Sequence, residues 1–560
     1  MQSERHQERQ HEAKRICALP RVSYPDDDPW EQRLALPGQS PPALRPLQRR
    51  ALSAIAHTGG MLGLIGVGEG KTWIAALAGT VLEAHLVILL TKPHLVDAFW
   101  HERMRLSKTY RLAPTMVIPY SVVQRPESTQ TLDDTLRKYI GRKVVIVADE
   151  AHCLCNEKSA RTRRVMRLFQ EHPETHFIAL SGTMTGRSVR DYGHIAEVAL
   201  RERSPLPREA HELEVWAACL DANGQPTGID WAWYRPMLDA AGPAQPEEST
   251  VDHARRAFRS RLQSCPGVVC SDATSLGTSL ILRKLRKPEA TPEVSALLRQ
   301  IAQTRIDPQG MPIPDDRARW RLERQLACGF WYRWAWPGGI VDKEWLEARA
   351  DWFRFVRMEL DARAGPHYDS EKLVRQSVDK RMQDGEKSYI VNAWAAWSRV
   401  RDRPPPPVVP VWIDTVAIEA AVAWARAQPG PVLVWYESSA VELALQLLGL
   451  DTYGEGSHVP EDPPGRTIAV SWRSHSEGCN LQYAWSRNIL LEIPSSGKTC
   501  EQLIGRTHRA GQLADEVEVA VLFGSHPFRA ALRSAQSAAR YIETTTGNKQ
   551  RLVFATELEA

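Results

Sequence analysis

The chain has 560 residues, room for three to four domains of about 150 residues each, and no run of about 18 apolar residues that would suit a membrane span. Its 71 Lys and Arg against 67 Asp and Glu leave a net charge of +4, too small to mark a polyanion-binding protein by bulk charge, so any nucleic-acid site must be built locally. The nine cysteines lack a paired CxxC and read as reduced thiols, and residues 1–15 are charged and Gln-rich with no apolar stretch of a secretory signal. A soluble, cytoplasmic protein is expected.

Residues 1–40 are polar and punctuated by proline, an N-terminal tail that packs only in part. Leu44-Arg45-Pro46-Leu47-Gln48 then opens an amphipathic helix reaching about residue 56. A short apolar strand over 61–65 leads through Gly66-Val67-Gly68-Glu69-Gly70-Lys71-Thr72 into the next helix. Further buried strands are predicted at 86–90, 144–148 and 177–180, with helical stretches between them, which makes residues 41–205 a doubly wound α/β lobe. Over 206–407 that rhythm stops. The stretch holds helical segments, Pro-rich breaks and clustered tryptophans (Trp331, Trp334, Trp336, Trp345, Trp352), and closes in a stiff Arg403-Pro404-Pro405-Pro406-Pro407 linker. Strands predicted at 432–435, 467–470 and 488–491 then mark a second α/β lobe over 408–530, followed by a polar helical tail, 531–560. The fold class expected is α/β, two parallel-sheet lobes with a mostly helical insertion between them.

Val144-Val145-Ile146-Val147-Ala148 is a β-branched run that ends abruptly in Asp149-Glu150. Such a run suits a strand buried on both faces of a parallel sheet, and ligands in those sheets bind beyond the carboxyl ends of the strands. An acidic helix start would explain the pair equally well on its own. The glycine-rich turn decides between the two. Gly68-Glu69-Gly70-Lys71-Thr72 stands between a strand and a helix, where backbone N–H groups approach a phosphate, the helix N-terminus adds positive potential and Lys71 neutralises charge. A chance lysine in a turn becomes a poor explanation once two carboxylates end a separate strand downstream. Ser181-Gly182-Thr183 alone is any strand-to-loop turn. In Gln502-Leu503-Ile504-Gly505-Arg506-Thr507-His508-Arg509-Ala510-Gly511-Gln512, Arg506 and Arg509 share a helical face at i, i+3 and can address one anion together.

As a set and in this order, Lys71-Thr72, Asp149-Glu150-Ala151-His152, Ser181-Gly182-Thr183 and residues 502–512 resemble motifs I, II, III and VI of superfamily-two helicases. Within these the chain resembles the Swi/Snf-type ATPases, through Asn156 and Ser159 after the DEAH box, His508 with Gly511-Gln512, and Leu44-Arg45-Pro46-Leu47-Gln48 upstream. Residues 90–100 with Glu102 are similar to motif Ia, Ser476-Glu477-Gly478-Cys479-Asn480-Leu481 resembles motif V, and 432–437 stand where motif IV belongs. The chain departs from the family at Ile65-Gly66, which replace an acidic pair, at motif V, which keeps only Gly478 of its glycines, and at Glu492, where Asp is usual. Its compact size looks like that of a phage or bacterial member, which would place it in the host or bacterial cytoplasm.

The resemblance implies a split ATP site between two RecA-like lobes. Lys71 and Thr72, with Gly68 and Gly70, would hold phosphates; Thr72 and Asp149 would hold Mg²⁺; Glu150 would activate the attacking water; and Gln48 would read the adenine edge. Arg506 and Arg509 would act as arginine fingers from the second lobe. His152, Ser181, Thr183 and Gln502 would couple lobe closure to DNA, most simply duplex, contacted through Lys92 and Asn480. Two other readings stay open: a strand-separating helicase, and a nucleotide-gated switch acting on a partner protein. Trp331, Trp334 and Trp345 repeat at roughly helical spacing, which suits packing better than base stacking. Two basic runs, Arg283-Lys284 with Arg286-Lys287 and Lys372 to Arg381, are either solvated faces or DNA-facing patches.

Overall fold

A computed structural model of the chain describes residues 11–22, 24, 30–123, 126–221, 229–271, 278–313, 315–361, 371–460 and 465–559. They form two compact units, one of Met1–Cys155, Leu168–Thr291 and Thr415–Ala560, the other of Asn156–Arg167 and Pro292–Asp414. Among the described residues no helix is long and apolar enough to cross a membrane.

The first unit holds two parallel sheets. Strands β1 (Met61–Leu64), β2 (Leu86–Thr91), β3 (Thr115–Pro119), β4 (Val144–Asp149), β5 (His176–Leu180) and β6 (Val268–Cys270) form a six-stranded sheet in the order β3-β2-β4-β5-β1-β6. Neighbours pair in parallel register, Ile88 beside Ile146 and Val147 beside Ile178. Parallel neighbours need crossover connections, here helices such as Lys71–Val81 and Val96–Leu106. These cover the faces, so β1 and β2 are buried at every position, as their unbroken apolar runs require.

Chain order then runs through β7 (Ser279–Leu285), β8 (Phe330–Trp334) and β9 (Val408–Trp412) to β10 (Val432–Tyr436), β11 (Asp451–Tyr453), β12 (Ile468–Ser471), β13 (Arg487–Leu490), β14 (Glu516–Leu522) and β15 (Thr556–Glu559). Seven of these make the second parallel sheet, in the order β11-β12-β10-β13-β14-β7-β15. The chain is thus α/β with two parallel sheets, as the alternation of strands and helices demands, and the arrangement is consistent with two RecA-like lobes.

The domain limits differ from the sequence expectation in three places. Residues 206–291, expected in the insertion, belong to the first unit: β6 joins the first sheet and β7 the second. In β7 only Leu280, Leu282 and Leu285 are buried, while Arg283 pairs with Glu518 and Lys284 with Glu557, so charge hides a strand pattern. Residues 531–559, expected as a tail, hold most of helix His526–Thr546, the short helix Arg551–Phe554 and strand β15. Strand β9, expected in the second lobe, pairs antiparallel with β8 in the other unit, Phe330 facing Trp412. The N-terminal tail packs in part, as expected: helix His11–Ala18 buries Glu12 against Arg15, and Trp30 donates to Ser53 Oγ at 3.2 Å.

The second unit is built by its tryptophans. Trp352 and Trp394 are buried with ring centroids 4.7 Å apart, and Trp345 packs between Trp334 and Trp397. Arg349 lies over Trp334 and Trp345 at 5.7 and 5.6 Å. Trp345, Trp352 and Trp394 are core, with Trp334 and Trp397 packed partly buried against it; the packing role expected is seen, but Trp331 and Trp334 lie on strand β8 and not at helical spacing.

Candidate functional site

Strands β4, β5 and β1 are neighbours running the same way, so the segments leaving their carboxyl ends emerge on one edge. These are Asp149-Glu150, Ser181-Gly182-Thr183 and the glycine-rich loop. Gly68 and Gly70 have φ of +87° and +81°, a region open to glycine at no steric cost. A Cβ on Gly70 would also collide with the Gln48 amide. Lys71 opens helix Lys71–Val81, and its Nζ donates to the carbonyls of Ile65 and Gly66 at 3.2 and 3.3 Å and lies 3.5 Å from Glu150 Oε1. Thr72 follows on the same first turn. Gln48 is buried with its amide committed to protein: Oε1 accepts from Arg45 N at 2.9 Å and Nε2 donates to Gly70 O at 3.4 Å. It braces the loop instead of presenting a free edge.

Two carboxylates share this edge. Burial, then the neighbouring Glu150, pushes the Asp149 carboxyl up to about 7. Burial acts the same way on Glu150, but Lys71 and His152 outweigh it and hold its carboxyl well below the usual range. Glu150 has φ +53° and ψ +48°, a left-handed conformation that costs a non-glycine residue roughly 1–3 kcal/mol and clusters at functional sites. His152 Nδ1 stands 3.1 Å from Glu150 Oε2 and 3.0 Å from Ser181 Oγ, joining the segments after β4 and β5. Burial, helped by Lys498, pulls the His152 imidazole down to about 4, so it is neutral at pH 7. Ser181 Oγ also accepts from Thr183 N at 3.2 Å, and both residues are buried.

The second sheet contributes helix Gly497–Thr507 and the loop before β13. Here the two arginines part company: the helix ends at Thr507, so Arg509 stands beyond it and not at i, i+3 on one helical face as expected. Arg506 is buried and donates to Ser476 O at 2.8 Å and Cys479 O at 3.1 Å, so it holds the loop at 476–481 and is not free to act as a finger in this structure. Arg509 reaches the glycine-rich loop: a Cβ on Gly68 would meet its Cβ and Nε at 3.7 Å. Its Nη1 donates to Asn480 Oδ1 at 3.0 Å, while its Nε is buried without a partner. Burial, then Arg506 and Arg551, lowers Arg509 to about 10, so it stays cationic. A buried guanidinium N–H left unmade beside a loop of this kind suits an anion.

Lys92 and Asn480, expected against a nucleic-acid backbone, lie inside this cleft instead. Lys92 Nζ is 2.6 Å from Glu477 Oε1, and Asn480 accepts from Arg509. Glu477 is the residue that sequence reasoning left without a role. Only 6% exposed, it also accepts from Gln502 Nε2 at 2.5 Å, has His94 at 3.6 Å, and presents an oxygen within 4.8 Å of donor atoms of Glu150 and His152. Burial opposes its ionisation, but His94 and Lys92 hold its carboxyl at about 2. Gln502 is thereby tied to the Glu150–His152 pair through Glu477. A lone Glu in a glycine-poor loop carries no signal of this, because the partner lysine is 385 positions away. Lys498, also unremarked in sequence, is lowered to about 8 by burial.

Glu492, the departure from Asp noted in sequence, has a structural use. It accepts from Glu437 N at 2.5 Å, Ser438 N at 2.7 Å and Ser438 Oγ at 2.6 Å, capping helix Ser439–Leu447. The oxygens of Asp149, Glu150 and Thr72 are the donor type that hard divalent cations take, and a carboxyl forced up to about 7 between carboxylates is what an added cation would relieve. No protein-family model matches the chain, and no curated protein does either.

Proposed function

We propose that the chain is a nucleic-acid-dependent ATPase of superfamily two, of the Swi/Snf type, that hydrolyses ATP to move along duplex DNA. The observation that carries this reading is Arg509 of the second lobe lying against Gly68 of the first, its buried Nε unpaired, beside Lys71 and Glu150. Hydrolysis of a phosphoanhydride needs charge neutralisation around the transferred group and an oriented water, and little covalent chemistry.

In this reading Lys71 leaves the carbonyls of Ile65 and Gly66 for the β- and γ-phosphates, beside the backbone N–H groups of Gly68 and Gly70. Thr72 and Asp149 hold Mg²⁺, which neutralises charge on the phosphate oxygens when bound. Glu150, kept ionised by Lys71 and His152, accepts the proton of the attacking water. Arg509 stabilises the charge that builds on the γ-phosphoryl group, and Arg506 positions the 476–481 loop behind it. Because Lys71 and Arg509 sit on different lobes, turnover depends on closure, and the links His152–Ser181 and Gln502–Glu477 give closure a route to the rest of each lobe. The preference for duplex rests on the motif resemblance.

The test is ATP turnover with no nucleic acid, single-stranded DNA, duplex DNA and RNA. Duplex should stimulate most, less so as salt rises, with displacement of a triplex strand and little unwinding of a fork. Efficient unwinding without triplex displacement would favour the strand-separating helicase, and turnover indifferent to nucleic acid the protein switch.

A further inference from the structure

The basic run Arg283-Lys284-Leu285-Arg286 has no part in the cleft. Its first three residues end β7 and Arg286 follows directly; the strand's amino end is at the cleft, where His508 meets Thr278 O at 3.0 Å, and its carboxyl end is about 20 Å away at the usual rise per residue. At that far end a cavity of about 550 Å³ is lined by four cations, Lys284, Arg286, Arg529 and Arg533, and by the carboxylates of Glu289 and Glu559. Arg529 and Arg533 are at i, i+4 on one face of helix His526–Thr546, an unfavourable spacing for like charges. Arg529 is held there by the carbonyls of Phe523 and Gly524, at 3.1 and 2.7 Å. The first turn of this 21-residue helix carries no acid and no side-chain cap, and Ser525 at the cap position is 5% exposed with its hydroxyl unpartnered. The positive end of the helix dipole adds to the same field.

Two of the four cations are neutralised from one source. Strand β15 pairs in parallel with β7, Glu557 beside Leu282 and Glu559 beside Lys284. Glu557 and Glu559 share a face at the two-residue period of a strand and meet Lys284 and Arg286 at the same period; Gln536 donates to Glu557 at 2.5 Å. All four residues of β15 are exposed. The Arg286–Glu559 pair is more than half exposed on both sides and contributes little, so a phosphate can replace it; Lys284 is only 12% exposed, and its partner Glu557 is the open side of that pair.

We propose that this cavity is a second phosphate-binding site for a nucleic-acid backbone, and that Glu557 and Glu559 of β15 hold its place in this structure. The inference rests on the nucleic-acid reading of the protein and adds a contact outside the ATP cleft. The exposed backbone phosphates of a duplex can be met by cations drawn from a strand end and a helix start, and such contacts carry no sequence information.

The experiment compares the full chain with Glu557→Gln/Glu559→Gln, and with the same variant carrying Lys284→Ala and Arg286→Ala. Binding to a fluorescent duplex is measured by anisotropy without nucleotide over a range of salt, with duplex-stimulated ATP turnover of the unaltered chain alongside. Removing the two carboxylates should raise duplex affinity several-fold and steepen the dependence of log K on log salt by about 1 for each phosphate gained. The added alanines should abolish the gain, with melting temperature reporting that each variant is folded. Unchanged affinity and slope in a folded glutamine variant, while the unaltered chain binds duplex, overturns the cavity inference alone. Stabilisation of that variant by inorganic phosphate without any gain in duplex affinity also overturns it, in favour of a free-anion site. Absence of duplex binding and of stimulated turnover in every form overturns the functional reading and the cavity with it.

Discussion

The cleft between the two sheets and the tryptophan-rich second unit bury opposite kinds of matter. In the second unit Trp352, Trp394, Val374 and Val378 fill the interior, and the ions stay outside, Arg403 with Asp342 and Arg381 with Glu386. In the cleft Glu477, Gln502 and Arg506 are each under a tenth exposed, within one network reaching Glu150 and His152. Desolvating an ion costs several kcal/mol even when it is paired, and an apolar cleft would hold two lobes together at least as well. Stability explains the second unit and leaves the cleft unexplained. The contrast assigns function to the region that is costly to fold.

The sharpest way to break this contrast is to remove single charges from the cleft. Lys71→Ala and Glu150→Gln should each abolish ATP turnover, whereas Glu150→Gln should still bind nucleotide, because it alters no phosphate contact. Normal hydrolysis by Glu150→Gln would dismiss that carboxylate as the base.

Arg509→Ala should lower kcat by about a thousandfold or more while leaving nucleotide affinity within a few-fold, as for other arginine fingers. Arg509→Lys should not restore it, since an ammonium lacks the planar fork of donors. Arg506→Ala should cost less in kcat and loosen residues 476–481, seen as faster amide exchange there. Near-normal duplex-stimulated turnover in the double alanine variant would end the split-site mechanism.

The opposite side of the comparison is tested with Trp352→Ala. Emptying that fully buried site should destabilise the second unit by about 3–5 kcal/mol, read by denaturant titration, with nucleotide binding retained. A stability unchanged within error would mean the ring is not core.

The smallest effect comes from a buried carboxylate away from the cleft. Glu212 is 4% exposed with Oε2 unpartnered, and burial, then Glu12, pushes its carboxyl up to about 7. A raised acid favours the protonated fold, so the native chain loses stability as pH rises from its unfolded pKa through 7. Glu212→Gln should therefore melt at nearly the same temperature at pH 5 and a few degrees higher at pH 8. Equal offsets at both pH values would show that this carboxyl does not titrate near neutrality.

Much of this protein is legible along the chain itself. Unbroken β-branched runs such as 144–148 announce parallel strands, because a strand covered by helices on both faces has no position for a polar residue. Asp149 and Glu150 can be named because they stand at a strand end, and Lys71 and Thr72 because they open the helix after the glycine-rich loop, where chain position alone predicts direction. Strands that carry charge escape: β7 hides three buried leucines among Arg and Lys, and Glu516 and Glu518 interrupt the apolar run of β14. Their polar residues are tolerated only because a partner from a distant segment arrives to pair them.

That is also the dividing line within the site. Local spacing predicts Arg506 and Arg509 on one helical face, although the helix ends at Thr507, and nothing in the sequence separates their duties. The fold does so, since Arg506 finds the carbonyls of Ser476 and Cys479 within reach and Arg509 finds Gly68. Glu477 and Lys92, 385 positions apart, become partners only when two sheets meet, and Glu557 and Glu559 find Lys284 and Arg286 only because β15 lies down beside β7. Periodicity and turn chemistry are properties of neighbours along the chain, so the sequence determined strands such as β1, β2, β4 and β5, the loop and the candidate ligands. Electrostatic pairing acts through space and is settled by which surfaces desolvate together, so the tertiary structure alone decided which of those charges belong to one another.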